Sequence, residues 1–471
     1  MSFYEAGFNE DYLEPEGKQV GEEICACRKL IEDKLIYGSV ERIEEVVSLC
    51  IDHGLIEDGL FFINYLLDIS SYNSDYWAKK GSLYNLSGSY ENAIECFNKA
   101  LSLNPGDTEI LIDKSSVEEN LGDYTQAEET LKFVLNSEPN NEEALYSLGI
   151  LNQRREKFET AIQYFKKLLR NDPEYAEASY ELGFCYESIN ENIEALNAYD
   201  KFLESDPYNV NAWYNRGVVL AKLNKPEQAL NSYDLAVSLR DDFTSAWFNK
   251  GVILTELCRT TEALECFKKV HQIDSFDEIS CYNIGNIYKG NGDFKNAIKY
   301  FNEALNINEH YYEALLARGF CFDSLGKIKL ALKDFNKATS ISKNSAEAWC
   351  AKADIEYSLG KRQESTESYL AAVKISPNNI RYWFSLAETY LEMGKCVNAI
   401  KAFEECLRID PDDANSLYGK AKVKLILNQK LEAIECLQKA FSINPSIKQK
   451  FTKDYPEIGF SQLVEKIMRE N

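Results

Sequence analysis

Apolar, small and polar positions recur along this chain with a period of 34 residues, unbroken by insertion or deletion from Ser74 to Ile447. All five tryptophans (Trp77, Trp213, Trp247, Trp349 and Trp383) share one phase of that period. Counting Trp77 as position 4 of a unit that starts at Ser74 divides the stretch into eleven units. Position 8 is always small: seven glycines (81, 149, 183, 217, 251, 285, 319), then Ser115, Ala353, Ala387 and Ala421. Position 20 is alanine in ten units, with Ser365 the exception, and position 24 is aromatic in nine, among them Phe97, Phe165, Tyr199 and Phe301. Small residues on two facing helices let the backbones approach, and a ring beside them fills the remaining space.

The punctuation between these positions predicts two helices per unit. Position 15 is Gly or Asn in nine units, including Gly88, Asn190, Asn224 and Gly292. These residues end a helix in the left-handed region at least cost. Position 32 is proline in seven units, which closes the second helix. Two residues later, seven units carry Asp, Asn or Ser, as at Asp107, Asn141, Asn209 and Asp413, side chains that cap the next helix. Each unit therefore reads as helix, tight turn, helix, tight turn, and the fold class is all-α.

This pattern resembles the tetratricopeptide repeat (TPR). The first unit, SDYWAKKGSLYNLSGSYENAIECFNKALSLNPGD, has Trp77, Gly81, Tyr84, Ala93, Phe97, Ala100 and Pro105 in the family's phases. The second unit is the weakest, with Leu111, Ser115 and Leu131 at key positions, and keeps the register through Ala127 and Pro139. A long uninterrupted array of this kind is also similar to cytosolic bacterial TPR proteins. The resemblance implies an α-α superhelix of stacked antiparallel hairpins whose first helices line a concave surface through positions 2, 5, 6, 9, 12 and 13. Position 5 then offers five consecutive aromatic residues, Tyr146, Tyr180, Tyr214, Phe248 and Tyr282. Position 6 offers Asn215, Asn249 and Asn283, each with donor and acceptor for a peptide backbone. The run is similar to the asparagine ladder of O-linked N-acetylglucosamine transferases, with Glu181 and Ala317 breaking it on either side. Both residue types are also common in ordinary repeats, where they only hydrate the surface, so the sequence leaves both readings open. The clamp that holds chaperone C-termini needs lysine at position 5, which never occurs here, and asparagine at position 9, which occurs only at Asn286.

The ends differ from the array. Residues 1–73 hold 16 acidic and 5 basic residues, and residues 1–19 read as an acidic disordered tail. Residues 20–73 read as an N-terminal helix followed by a degenerate capping repeat over 40–73, with Val47 in place of the small residue and Gly59 in place of alanine. The array occupies 74–447. Residues 448–471 read as a C-terminal capping helix, with a break at Pro456 and an N-cap at Ser461. The same helix could instead join copies of the chain, and a structural homo-oligomer is the alternative function.

Charge narrows the partners. The 471 residues carry 52 Lys+Arg against 76 Asp+Glu, a formal charge of −24, which disfavours nucleic acids and anionic membranes. Several groove phases are acidic, among them Glu109, Glu143, Glu177 and Glu187, so a protein or peptide ligand of basic character is favoured. The first residues show no basic or apolar leader pattern and no apolar run is long enough to span a membrane. A cytoplasmic location is therefore expected, with the thirteen cysteines reduced. Only three histidines occur, and no Cys/His spacing matches a metal signature. No phosphate loop, HExxH or nucleophile elbow is present. The expectation is a non-catalytic interaction scaffold without cofactor or metal that binds an extended or helical segment in its groove.

Overall fold

The computed structural model describes residues 15–33 and 40–455. Among them are twenty-six α-helices and no strand. In every one of the eleven repeats the first helix spans positions 1–13 and the second positions 17–30. Ser74–Leu86 and Tyr90–Leu103 form the first pair, Ala414–Ile426 and Lys430–Ile443 the last. The chain is an α-α superhelix of the TPR type. It divides into two compact halves, Met1–Asp241 and Asp242–Asn471, and the division falls just after the fifth repeat's second helix, Pro226–Leu239.

Within a repeat, the position-24 ring lies directly on the position-8 glycine. A methyl group at Gly149 would sit 2.3 Å from Phe165 Cε1, at Gly183 2.7 Å from Tyr199 Cε1, and at Gly319 2.5 Å from Phe335 Cε1. Those rings are almost fully buried. Two of the four exceptions occur as matched pairs, while Ala353 and Ala387 keep an aromatic ring at position 24, Tyr369 and Phe403. Where position 8 is Ser115 or Ala421, position 24 is Leu131 or Leu437, so a larger floor meets a smaller lid.

The turns confirm the reading at position 15 and extend it. All eleven position-15 residues have positive φ, including Glu156 at 56° and Cys258 at 58°. Closing hydrogen bonds hold them there: the Lys157 N–H donates to the Asn152 carbonyl at 2.9 Å, and the Arg259 N–H to the Leu254 carbonyl at 2.8 Å. The geometry is imposed by packing the two helices, so five residues with a Cβ adopt it, two of them, Glu156 and Cys258, of types that rarely do. Six of the seven expected Asp, Asn or Ser caps bond the following helix, and Asn379 does not.

The tryptophan phase has its own cause. The Trp213 indole N–H donates to the carbonyl of Pro207 at 2.9 Å, Trp349 to Lys343 at 3.0 Å and Trp383 to Pro377 at 2.8 Å. In these repeats position 4 thus ties the repeat to position 32 of the one before it.

At the N-terminus the helix Pro15–Glu32 begins inside the stretch expected to be disordered; residues 1–14 lie outside the described residues. It lays Val20, Ile24 and Cys27 on Ile43, Val46 and Val47. The hairpin Val40–Asp52 and Ile56–Ile69 has repeat dimensions, and its Gly54 takes φ 66° at the position-15 phase. Gly59 has a packing reason: a Cβ there would stand 2.6 Å from Leu83 Cδ2 of the first repeat. At the other end a helix the sequence pattern did not suggest, Ser446–Asp454, follows Pro445. It buries Ile447 and Phe451, and Tyr418 Oη donates to Asp454 at 2.6 Å. The break at Pro456 and the helix after Ser461 lie outside the described residues.

Two stability measurements test this packing. Gly149→Val should cost about 1–3 kcal/mol in urea denaturation, and adding Phe165→Leu should recover part of it, as Ser115 and Leu131 already do in the second repeat. Glu156→Gly should raise the thermal midpoint, a gain of up to about 1 kcal/mol, by relieving the left-handed strain.

Candidate functional site

First helices of neighbouring repeats touch one another, as Thr108–Asn120 touches Glu142–Arg154 and Ala176–Ser188 touches Val210–Lys222; second helices of neighbouring repeats do so weakly or not at all. A stack set closer on one side bends toward that side, so the first helices line the inner wall of each half.

In the N-terminal half the inner wall carries Tyr146, Tyr180, Tyr214 and Asn215, all half-buried. The rings rest on the core aromatic of their own repeat, Tyr146 on Phe165 at 6.0 Å, Tyr180 on Tyr199 at 5.8 Å and Tyr214 on Tyr233 at 6.1 Å between centroids. One edge therefore belongs to the core and the other faces the wall. Burial pushes the Tyr146 hydroxyl up to about 12, helped by Glu181. The Asn215 amide donates to the Tyr180 hydroxyl at 3.1 Å, so this asparagine is oriented by the repeat before it. In the C-terminal half Phe248, Asn249, Tyr282 and Asn283 are half-buried on the equivalent wall. Phe248 rests on Phe267 at 5.6 Å, and Tyr282 lies between Phe301 at 5.9 Å and Tyr311 at 5.2 Å.

The wall of the N-terminal half also carries two carboxylates at position 6, Asp113 and Glu181. Water reaches Asp113, yet the surrounding concave wall crowds it. That loss of hydration, with repulsion from Glu143 and Glu109, raises its carboxyl to about 6; a bond from Ser82 offsets only part of this. Burial likewise raises the Glu181 carboxyl, against the opposing effects of Gln153 and Arg154. Gln153 Nε2 donates to Glu181 at 2.7 Å, while Gln153 Oε1 is shielded from water and has no hydrogen-bond partner. These groups border an open cleft of about 460 Å³ lined by Ile150, Gln153, Arg154, Glu156, Phe158, Glu181 and Phe184. Phe184 meets Phe158 edge-on at 6.4 Å and is 40% exposed.

Basic residues on the same face are paired across repeats. Arg154 bonds Glu119 at 2.8 Å, and Lys222 bonds Glu187 at 2.9 Å. Their charge is thereby spent, and the position-2 and position-6 carboxylates determine the sign of the wall. The sequence reading treated Glu181 as an interruption of the asparagine run and passed over Asp113. Their shared phase with that run was the available signal.

Comparisons with known proteins agree with the register. A model of the cytochrome c-type biogenesis protein H TPR domain matches residues 66–177. Models of the tetratricopeptide repeat match 198–231, 244–277, 279–311, 312–345, 380–413 and 414–447, and a TPR repeat model matches 353–394. Four of these begin and end at the bounds set by the tryptophan phase. No curated protein matches. Among solved structures, YrrB, titled a TPR protein with an unusual peptide-binding site, is 23% identical, with 40% of this chain and 96% of that chain covered, TM-score 0.36. A tetratricopeptide repeat protein from Parabacteroides merdae is 21% identical over 55% and 98% of the two chains, TM-score 0.39. The Cut9–Hcn1 structure is 16% identical over 92% and 97%, TM-score 0.39. Among the described residues no helix is long and apolar enough to cross a membrane. The chain belongs to the tetratricopeptide-repeat proteins, a typically non-catalytic family of protein–protein interaction scaffolds.

Proposed function

We propose that the inner wall of the N-terminal half binds a basic, extended segment of a partner protein. The observation that carries this is a set of carboxylates gathered on one wall by neighbouring repeats, Glu109, Asp113, Glu143 and Glu181, with the Asp113 carboxyl raised by crowding and by repulsion from Glu143 and Glu109. Such a group is electrostatically incomplete, and a Lys or Arg head group beside it relieves both the repulsion and the desolvation. The cleft beside Glu181 suits the same chemistry. Ile150 and Phe184 provide apolar surface for an aliphatic stem, and Glu181 provides a carboxylate for its charged end. Tyr146, Tyr180 and Tyr214 contribute ring edges, and Asn215 contributes amide groups for the ligand backbone. In the C-terminal half, Phe248, Asn249, Tyr282 and Asn283 offer an uncharged version of the wall for a less charged stretch of ligand. The proposal includes a reducing, cytoplasmic compartment, which thirteen free thiols suit.

A fluorescently labelled Lys/Arg-rich peptide tests the reading by anisotropy. Asp113→Asn with Glu181→Gln should weaken binding about five- to tenfold while circular dichroism stays unchanged; equal affinity for the variant, or for a Glu-rich control peptide, overturns it. The pH response has a definite sign. Because the Asp113 carboxyl is raised, it takes up a proton as pH falls through about 6, so affinity should drop between pH 7.5 and 5. A bound cation favours the ionised form, so binding near pH 6 should release protons. Both effects should shrink in Asp113→Asn.

A further inference from the structure

At the junction of the sixth and seventh repeats, three positions that meet in space differ from the residue most common at their phase. Position 4, tryptophan in five repeats, is Cys281. Position 28 is leucine in the first four repeats (Leu101, Leu135, Leu169, Leu203) and is His271 in the sixth. In other junctions these two phases pack together, Leu203 with Trp213 and Val373 with Trp383. Position 26, lysine in six repeats, is Glu303 in the seventh. Elsewhere that lysine serves the preceding loop, as when Lys167 donates to the Pro139 carbonyl at 2.6 Å and Lys439 to the Pro411 carbonyl at 2.8 Å. At this one junction an apolar and cationic contact has become a thiol, an imidazole and a carboxylate.

We propose that His271, Cys281 and Glu303 form a zinc site. They come from three consecutive helices, Thr260–Ile273, Glu278–Gly290 and Phe294–Ile307, and offer donor atoms that all lie within 4.8 Å of one another. His271 Nδ1 stands 3.4 Å from Cys281 Sγ. A tetrahedral zinc with bonds of about 2.3 Å to sulfur and about 2.0 Å to nitrogen holds those atoms about 3.5 Å apart, so this pair is already at bite distance. Glu303 Oε2 lies 3.8 Å from His271 Nε2, across the ring from Cys281, so its side chain must rotate to join an ion held at Nδ1. Its side chain is 33% exposed and pairs with Lys299 at 3.9 Å. Cys281 forms the dry floor, while the 30% exposure of His271 leaves a path for the ion and a fourth position for water.

Charge accounting favours a dication. On binding, the Cys281 thiol gives its proton to solvent and the sulfur pair forms the Zn–S bond. Neutral His271 donates the Nδ1 pair, and Glu303 brings one negative charge. The +2 of zinc then meets −1 from thiolate and −1 from carboxylate, so the occupied site is neutral. The nearby Glu303, Asp277 and Glu278 carboxylates make the field at Cys281 negative. The same negative field attracts a cation.

Cobalt(II), added to the reduced full-length protein, reads the site directly. One equivalent should produce a thiolate-to-cobalt charge-transfer band and tetrahedral d–d bands, both erased by one equivalent of zinc. His271→Leu and Glu303→Lys install residues that other repeats carry at these phases, so they should preserve helicity. Each should weaken cobalt binding at least about tenfold. Zinc should also raise the thermal midpoint of the wild type but not of His271→Leu. Absence of the bands at stoichiometric cobalt overturns the proposal. So does a band that survives both substitutions, which would assign it to others of the thirteen thiols.

Discussion

Most of the array depends on one contact, present in seven of the eleven repeats: the position-24 ring seated on the position-8 glycine of the same repeat. A Cβ at Gly149 or Gly319 would stand 2.3 or 2.5 Å from that ring, inside the distance at which atoms can coexist. The missing side chain sets how near the two helices of a hairpin lie, and this spacing fixes the turn between them. Glu156 and Cys258 take the left-handed conformation there because the helix pair demands it. The same spacing places position 4 over the preceding loop, where tryptophan ties one repeat to the last. The position-5 residues then roof the core rings, so each wall aromatic is half core and half surface.

The features of the inner wall follow from that arrangement. Stacking at 34-residue intervals turns one phase of the sequence into one stripe of the surface, and position 6 is a stripe whose chemistry changes along the array. In the N-terminal half it brings Asp113 and Glu181 into crowded settings where carboxylates lose hydration. Pairs such as Arg154–Glu119 and Lys222–Glu187 neutralise the cations that would otherwise have balanced them. In the C-terminal half the stripe runs from Asn249 and Asn283 to Ala317 and Ala351 and carries no charge. One scaffold thus presents two walls of different character with the same backbone.

An internal repeat also supplies its own standard of comparison. Departures from the common residue that are structurally silent should be scattered, whereas those at His271, Cys281 and Glu303 converge on a single junction. Other departures have packing reasons. Gly59 clears room for Leu83, and Leu131 sits over Ser115 where the floor is higher.

Residue phase alone determined the helices. Gly, Asn and Pro positions mark where the chain must turn, and local turn chemistry needs no knowledge of distant residues, so the helix bounds of all eleven repeats follow from it. The aromatic stripe and the asparagines were legible for the same reason, since a constant period puts equal phases on one face. Only the tertiary structure decided the rest. The raised Asp113 carboxyl arises from crowding on the wall, then from Glu143, thirty residues away, and Glu109, four away, so it depends on neighbouring repeats stacking. Asn215 acquires its orientation from Tyr180, 35 residues earlier. His271, Cys281 and Glu303 have no motif spacing, because three helices, rather than one local loop, bring their donor atoms together.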